Sequence, residues 1–191
     1  MEELWQKKNK TRFTLLGMLS FSPMSGYDIK KCISHSIGYF WNENYGHIYT
    51  ILKRLHEEEC IDKKTEKNEG KPDRIVYTIT SKGKNELNEW LNQPADDMKF
   101  RNELLLKIFF SQKLPIEDTI KKLQTEYEKS AKQLSEYNEV ENHILEGDDD
   151  PYVKQLWLLT LNFGKAYSEM TQKWCKDSID SLNQFNSNKD K

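Results

Sequence analysis

Between residues 44 and 80 the chain sets hydrogen-bonding and basic side chains in two neighbouring blocks. Asn44, Tyr45, His47 and Tyr49 open the first, with Lys53 and Arg54 further along it. Lys67, Lys71 and Arg74 make up the second. The first block carries donors and acceptors suited to base edges or phosphates. The second offers positive charge to a phosphate backbone or a minor groove. Ile48, Ile51, Leu52 and Leu55 fall at helical spacing, so the first block belongs to an amphipathic helix. Ile75, Tyr77 and Ile79 then alternate with polar or β-branched neighbours, which reads as a half-buried strand. Residues 60–65 are its expected partner strand, and 66–73 the polar loop, with Gly70 and Pro72 as turn residues. A helix followed at once by a charged hairpin has the order of recognition helix and wing in a winged helix-turn-helix.

Other elements must hold these two in place. Phe13, Leu15, Leu16, Met18 and Leu19 form a dense apolar patch, too apolar for a free helix and therefore buried. Residues 21–26 carry turn chemistry. Ser25 can cap a second helix whose apolar positions include Tyr27, Ile29 and Ile33. Asn42 or Asn44 can cap the third helix, and Thr80 or Ser81 a fourth that carries Leu87, Trp90 and Leu91. Residues 92–97 read as a domain boundary. The expected front domain spans 1–92 and the expected rear domain 98–186. The rear half reads as helical throughout: 100–110, then a stripe through Leu123, Tyr127, Ser130, Leu134, Tyr137, Glu141 and Ile144, then a last long helix and a frayed polar tail from Asn183. In that last helix Leu156, Phe163 and Met170 recur every seven residues, beside a row holding Thr160, Tyr167 and Trp174. The fold class is mainly α with a small β-hairpin.

Charge and composition narrow the function classes. The chain has 191 residues, 36% hydrophobic and 31% charged, with a net charge of -2. Residues 1–92 carry 15 basic against 13 acidic side chains, and residues 93–191 carry 14 against 18. A slightly basic front and an acidic rear suit a DNA-binding domain joined to a domain with another task. Mean hydropathy of -0.87 and the lack of an 18-residue apolar run argue against a membrane span. Three widely spaced cysteines form no CxxC pair, which fits a cytoplasmic protein without a disulfide framework. No catalytic motif is visible, so an enzyme is not expected, nor is a cofactor. His56 and Cys60 share a helical spacing but lack a third ligand, so they read as an ordinary helix end rather than a metal site. Residues 57–59 read as a solvated acidic face. Residues 148–150 read as an acidic turn that caps the last helix.

The front segment resembles the PadR family of bacterial transcriptional regulators. Matching pieces are Leu15-Leu16-Gly17-Met18-Leu19, Met24-Ser25-Gly26-Tyr27-Asp28-Ile29, residues 46–55, and Tyr77-Thr78-Ile79-Thr80 followed by Gly83. Residues 101–110, 161–164, Trp174 and Cys175 are similar to the family's longer C-terminal helical domain. The resemblance implies a dimeric winged-helix regulator, often a repressor, with some members answering to phenolic acids. One departure stands at Glu59-Cys60-Ile61, where the family has Gly-Leu-Ile. A glycine there would close the helix in the left-handed conformation.

On this reading the DNA-binding residues are Ser25, Tyr27, Asn44, Tyr45, His47, Tyr49, Lys53, Lys67, Lys71 and Arg74. Ser25 and Tyr27 open the second helix, whose first amides form a natural phosphate site. Tyr49 fits either packing or a phosphate hydrogen bond. The expected dimer face is Leu156, Phe163, Tyr167, Met170 and Trp174. An effector, such as a phenolic acid, would sit in an apolar crevice where front and rear domains meet. The expected partners are operator DNA and a second copy of the chain. A winged helix that contacts a protein instead of DNA is the rival reading.

Overall fold

The computed structural model describes residues 9–41, 43–67, 73–98 and 100–189, apart from the side chains of Tyr45 and Lys189. The chain divides into two units, Met1–Asp97 and Met98–Lys191.

In the front unit, polar caps fix where the helices start. Helix α1 runs Lys10–Phe21, the short strand β1 is Met24–Ser25, and helix α2 is Gly26–Ser36. Ser25 and Asp28 cap α2 reciprocally: the serine hydroxyl accepts from the Asp28 amide, and the Asp28 carboxylate accepts from the Ser25 amide. Helix α3 is Tyr45–Glu57, capped by Asn44, which accepts from the Gly46 amide at 3.0 Å. Strands β2 (Ile61–Glu66) and β3 (Arg74–Ile79) form the hairpin, and helix α4 (Ser81–Leu91) begins at Thr80. Of the paired alternatives in the sequence, Asn44 and Thr80 are the caps. Each such cap is worth about 1 kcal/mol.

The sheet is antiparallel in the order β1-β3-β2. Met24 pairs with Tyr77 and Ser25 with Val76, while β2 pairs from Ile61↔Ile79 to Glu66↔Arg74. The turn expected over 21–26 therefore contains a third strand. The expected burial of Ile75, Tyr77 and Ile79 needs one correction. Tyr77 and Ile79 are buried but Ile75 is 46% exposed. Ile75 pairs with Thr65 towards the hairpin tip, beyond the stretch that β1 covers, so no second layer reaches it.

The core gathers Phe13, Leu15, Leu16, Met18 and Leu19 of α1, Ile29 and Ile33 of α2, the whole stripe Ile48, Ile51, Leu52 and Leu55 of α3, and Ile61, Tyr77, Ile79 and Leu87. Phe13 stacks on Trp90 at 4.6 Å, which joins α1 to α4. Against this core a cation is buried. Arg12 is 3% exposed and ion-pairs with Glu58 and Glu86, with 2.6 Å from Nη2 to Glu86 Oε2. Its Nη2 also donates to Cys60 Sγ at 3.3 Å, and the Cys60 thiol donates to Glu86 at 3.2 Å. Burial and the neighbouring Glu86 push that thiol up to about 11, so it stays protonated and acts as a donor. Burial alone would raise Glu86, but the Arg12 guanidinium, the thiol and Lys82 outweigh it and hold the carboxyl below its ordinary range.

The α3 terminus shows how the chain manages without the expected glycine. Glu59 takes φ 59°, Cys60 N–H bonds to Leu55 C=O at 2.8 Å, and Glu59 N–H bonds to His56 C=O at 3.0 Å. These are the two bonds of a Schellman closure. Its geometry is therefore kept, with glutamate in a left-handed conformation. Gly83 is required for another reason. A Cβ there would lie 2.2 Å from the Cys60 carbonyl oxygen, where α4 crosses the start of β2.

The rear unit contains helix α5 (Glu103–Phe109), a 3-10 turn at Ser111–Lys113, and the long helices α6 (Ile116–Glu146) and α7 (Pro151–Lys189). Helix α5 starts later than the expected residue 100 because Asn102 caps it, accepting from the Leu105 amide at 3.1 Å. Asp150 caps α7 through the Tyr152 and Val153 amides, as the acidic turn suggested. The tail from Asn183 is not frayed but continues α7 to Lys189. Alternate members of the α6 stripe are buried as far as Tyr137, namely Leu123, Ser130 and Tyr137, and Ile144 is half-buried. The α7 residues buried within the unit are Leu161, Gly164, Ser168, Thr171 and Cys175, and Gly164 lets the Tyr137 ring approach closely. Its large apolar side chains stay outside: Leu156, Phe163, Tyr167 and Met170 are exposed, and Trp174 is half-buried.

Glu59→Gly should stabilise the chain. The left-handed penalty of roughly 1–2 kcal/mol is removed, and the greater freedom of unfolded glycine returns about half of it. A urea melt should show a rise of up to about 1 kcal/mol; a fall would mean that the glutamate side chain contributes more than its backbone strain costs.

Candidate nucleic-acid interface

Helix α3 buries one face completely and leaves the other to solvent. Ile48, Leu52 and Leu55 have no exposure, whereas Asn44, His47, Tyr49, Thr50, Lys53 and Arg54 are all exposed. The N-terminal turn, where Asn44 and His47 stand, is the end a recognition helix normally presents to base edges.

This turn is anchored by a residue that sequence reasoning missed. Glu43 is 6% exposed and directly precedes the cap. Its Oε1 accepts from Trp41 Nε1 at 2.7 Å, its Oε2 accepts from Thr11 Oγ1 at 3.0 Å, and its backbone carbonyl accepts from Lys30 Nζ at 2.6 Å. Thr11 Oγ1 is also 3.3 Å from His47 Nδ1. The anchor thus links α1, α2 and the start of α3. A glutamate between two asparagines gives no signal of burial, and Thr11 hides at the edge of an apolar run.

The remaining predicted residues divide by environment. Tyr49 lies with its ring against Gly26; a Cβ on that glycine would come within 2.7 Å of the ring. Packing is therefore one of its roles, and 45% of the residue remains exposed. Tyr27 is 62% exposed beside it, at the start of α2. Lys53 is exposed and lies 3.8 Å from Glu57 on the same helix. Lys67 is exposed just past β2. The Tyr45 side chain and all of Lys71 lie outside the described residues.

Two predicted contacts are occupied within the fold. Ser25 is 9% exposed, and its hydroxyl is committed to Asp28 at 2.6 Å, so it serves as a cap. Arg74 ion-pairs with that same Asp28, which joins the loop end of the hairpin to the start of α2. Burial works against the Asp28 carboxylate, but Ser25 and Arg74 outweigh it and hold the carboxyl below its usual range. Arg74 therefore fixes the angle of the hairpin. His56 and Cys60 face different partners: His56 Nδ1 lies 3.1 Å from the Ile61 carbonyl oxygen, and the thiol joins the Arg12 cluster. Among the described residues no helix is long and apolar enough to cross a membrane.

The arrangement can insert the start of α3 into a major groove while the lysines of the hairpin lie along the flanking backbone. Comparisons with known proteins agree with this architecture. Residues 15–89 match the profile of the transcriptional regulator PadR-like family, and residues 100–183 match that of the virulence activator alpha C-terminal region. Over 101 residues the chain is 35% identical to the negative transcriptional regulator PadR of Bacillus subtilis, a match covering 52% of this chain and 55% of that protein. The chain thus spans about half the length of that curated relative. The crystal structure of Bacillus subtilis PadR in complex with operator DNA superposes with a TM-score of 0.79 at 24% identity, covering 90% of this chain and 98% of the other. The structure of that protein in complex with p-coumaric acid gives a TM-score of 0.74 at 23% identity, over 90% and 98% of the two chains.

Proposed function

We propose that the chain, whose residues 15–89 match the PadR-like family of transcriptional regulators, acts as a homodimeric repressor that binds a pseudo-palindromic DNA operator and answers to a small aromatic acid. The observation that carries the DNA reading is the two-sided character of α3. Its apolar stripe is wholly buried, while Asn44, His47 and Tyr49 stand exposed at its leading end beside a lysine-bearing hairpin. No other described element of the front unit offers that combination. Asn44, Tyr45 and His47 are the proposed base-reading residues. Tyr27, Tyr49, Lys53, Lys67 and Lys71 are the proposed phosphate contacts, with Ser25 and Arg74 holding the elements that carry them. Repression follows by steric block of the promoter, as the negative regulation named for the Bacillus subtilis relative suggests.

The two classes of contact should fail differently. His47→Ala should reduce the preference for operator over random DNA by roughly 1–3 kcal/mol. Lys67→Ala should weaken binding to both DNAs alike and flatten the plot of log affinity against log salt by about 0.9. Anisotropy titrations at several salt concentrations check both. An unchanged slope for Lys67→Ala removes the hairpin from the interface. A wild-type chain that binds operator and random DNA equally turns the front unit into a protein-interaction module.

The proposed dimer face is the outer row of α7: Leu156, Phe163, Tyr167, Met170 and Trp174. Four of these are exposed, with Phe163 at 64%. So much contiguous apolar surface on one helix marks an interaction site, and two-fold pairing is the commonest closed assembly. Phe163→Glu should spare the fold of the unit, since the side chain points away from it, and should yield a monomer by light scattering. A full-strength dimer would assign the interface to another face.

The proposed effector class is a phenolic acid, on the precedent of the p-coumaric acid complex of the Bacillus subtilis protein. Coupling between effector and DNA of about 1–3 kcal/mol is usual for distant sites. Tryptophan fluorescence with p-coumaric acid, in the absence and presence of operator, should show weaker ligand binding on DNA by the same factor that the ligand weakens DNA binding. Equal affinities would leave the rear unit as a dimerisation device.

A further inference from the structure

Thr11, Glu43 and His47 form a relay that decides which way one hydrogen bond at the tip of α3 can point. The Glu43 carboxylate accepts at both oxygens, from the Trp41 indole N–H at 2.7 Å and from the Thr11 hydroxyl at 3.0 Å. A hydroxyl has one proton, and an ionised carboxylate can only accept. Thr11 therefore gives its proton to Glu43 and turns a lone pair towards His47 Nδ1, 3.3 Å away. That lone pair holds a proton on Nδ1. In the neutral ring the other nitrogen, Nε2, is then an acceptor. Nε2 makes no bond to the described residues, and the His47 side chain is 47% exposed. Thr11 and Glu43, each 6% exposed, are shielded from the water that would otherwise scramble this choice.

We propose that this relay makes His47 a dedicated hydrogen-bond acceptor, so that it selects, on the strand it faces, a base whose major-groove edge carries an exocyclic amino group. The inference rests on the DNA-binding reading above. Adenine N6 and cytosine N4 are the amino donors on that edge, whereas guanine O6 and N7 and thymine O4 are acceptors. An unprotonated Nε2 meets the first two with a hydrogen bond and the others lone pair to lone pair. Thr11 and Glu43 act as positioning residues, setting the polarity of His47 without touching DNA.

Glu43→Gln tests the polarity directly. The indole N–H of Trp41 only donates, so it keeps the amide oxygen on its side. The amide nitrogen then takes the place of Oε2 and donates to Thr11. Thr11 must now give its proton to His47 Nδ1, which moves the ring proton to Nε2 and turns the acceptor into a donor. The full chain, carrying 15N-labelled histidine, is examined by two-bond 15N–1H correlation in alkaline buffer, where imidazole is neutral. The same proteins select duplexes from a random pool. The wild type should show the Nδ1–H tautomer and the Glu43→Gln variant the Nε2–H tautomer. At one operator position, preference should move from the amino-bearing bases towards guanine or thymine, by on the order of tenfold to a hundredfold where the wild type reads cytosine, which presents no acceptor, and by less where it reads adenine, whose N7 still accepts. The base enriched by the wild type names which amino group is read.

Thr11→Val removes the relay hydroxyl and should flatten both the tautomer bias and that base preference, and Thr11→Ser should restore both. This pair keeps the test decisive if the Glu43→Gln variant does not fold. An Nε2–H tautomer in the wild type, or a ring indifferent to both the Glu43→Gln and the Thr11→Val substitutions, overturns the relay. An inverted tautomer with an unchanged base preference overturns the role of His47 in base selection. A wild type with the Nδ1–H tautomer that enriches no sequence overturns the DNA-binding reading and the selection with it, while leaving the relay itself in place.

Discussion

Two adjacent buried polar residues of α1 hold both ends of α3. Thr11 bonds to Glu43 and approaches His47 at the leading end. Arg12 pairs with Glu58 just past the trailing end and bonds to Cys60 in the closure that follows. Between them the apolar stripe of α3 lies on the core. A hydrophobic stripe alone fixes which face of a helix is buried, but it lets the helix slide along its axis. Directional contacts at each end remove that freedom. Everything the exposed face can do with a ligand depends on this placement, because a misplacement of about an ångström is enough to break a hydrogen bond.

The cost of the clamp explains the surrounding chemistry. A buried guanidinium is expensive unless fully paired. Glu58, Glu86 and the Cys60 sulfur supply its partners, drawn from the end of α3 and from α4. Each partner ties a further element to α1, so one charge organises the rear of the front unit. The Asp28 carboxylate does similar work on a smaller scale, capping α2 and holding Arg74 where β3 leaves the hairpin loop. Two carboxylates thus place the exposed elements: that of Glu43 ties the start of α3 to α1, and that of Asp28 ties the hairpin to α2.

Periodicity makes much of this legible from residues alone. The α3 stripe and the strand around Tyr77 announce themselves by spacing, and the caps at Ser25, Asn44 and Thr80 by residue type. The left-handed turn at Glu59 is visible as a missing glycine. What stays hidden are contacts between residues far apart in sequence. Arg12 sits in an apolar run with partners 46 and 74 residues away, and nothing in its neighbourhood marks it as buried. Glu43 reads as one more polar residue in a loop. Ser25 and Arg74 have the right chemistry for phosphate, and within the fold Ser25 caps α2 while Arg74, its side chain 45% exposed, pairs with Asp28. In α7 two rows recur at helical spacing, one of large apolar side chains and one of small or hydroxyl-bearing ones. Spacing marks the first row, whereas the second carries no apolar signal of its own. Only the packing shows that Gly164, Ser168 and Thr171 turn inward within the unit while Phe163 and Met170 face out.

The exposed tip of α3, so placed, is the part proposed to read DNA sequence. Hydroxyl-radical and methylation footprinting of the full chain on a duplex from its own upstream region tests it most directly. The account predicts two protected major-groove segments about one helical turn apart, roughly 34 Å centre to centre, and binding at least about a thousandfold tighter than to a shuffled duplex at physiological salt. Uniform protection along the duplex, with equal affinity for the shuffled sequence, would contradict it.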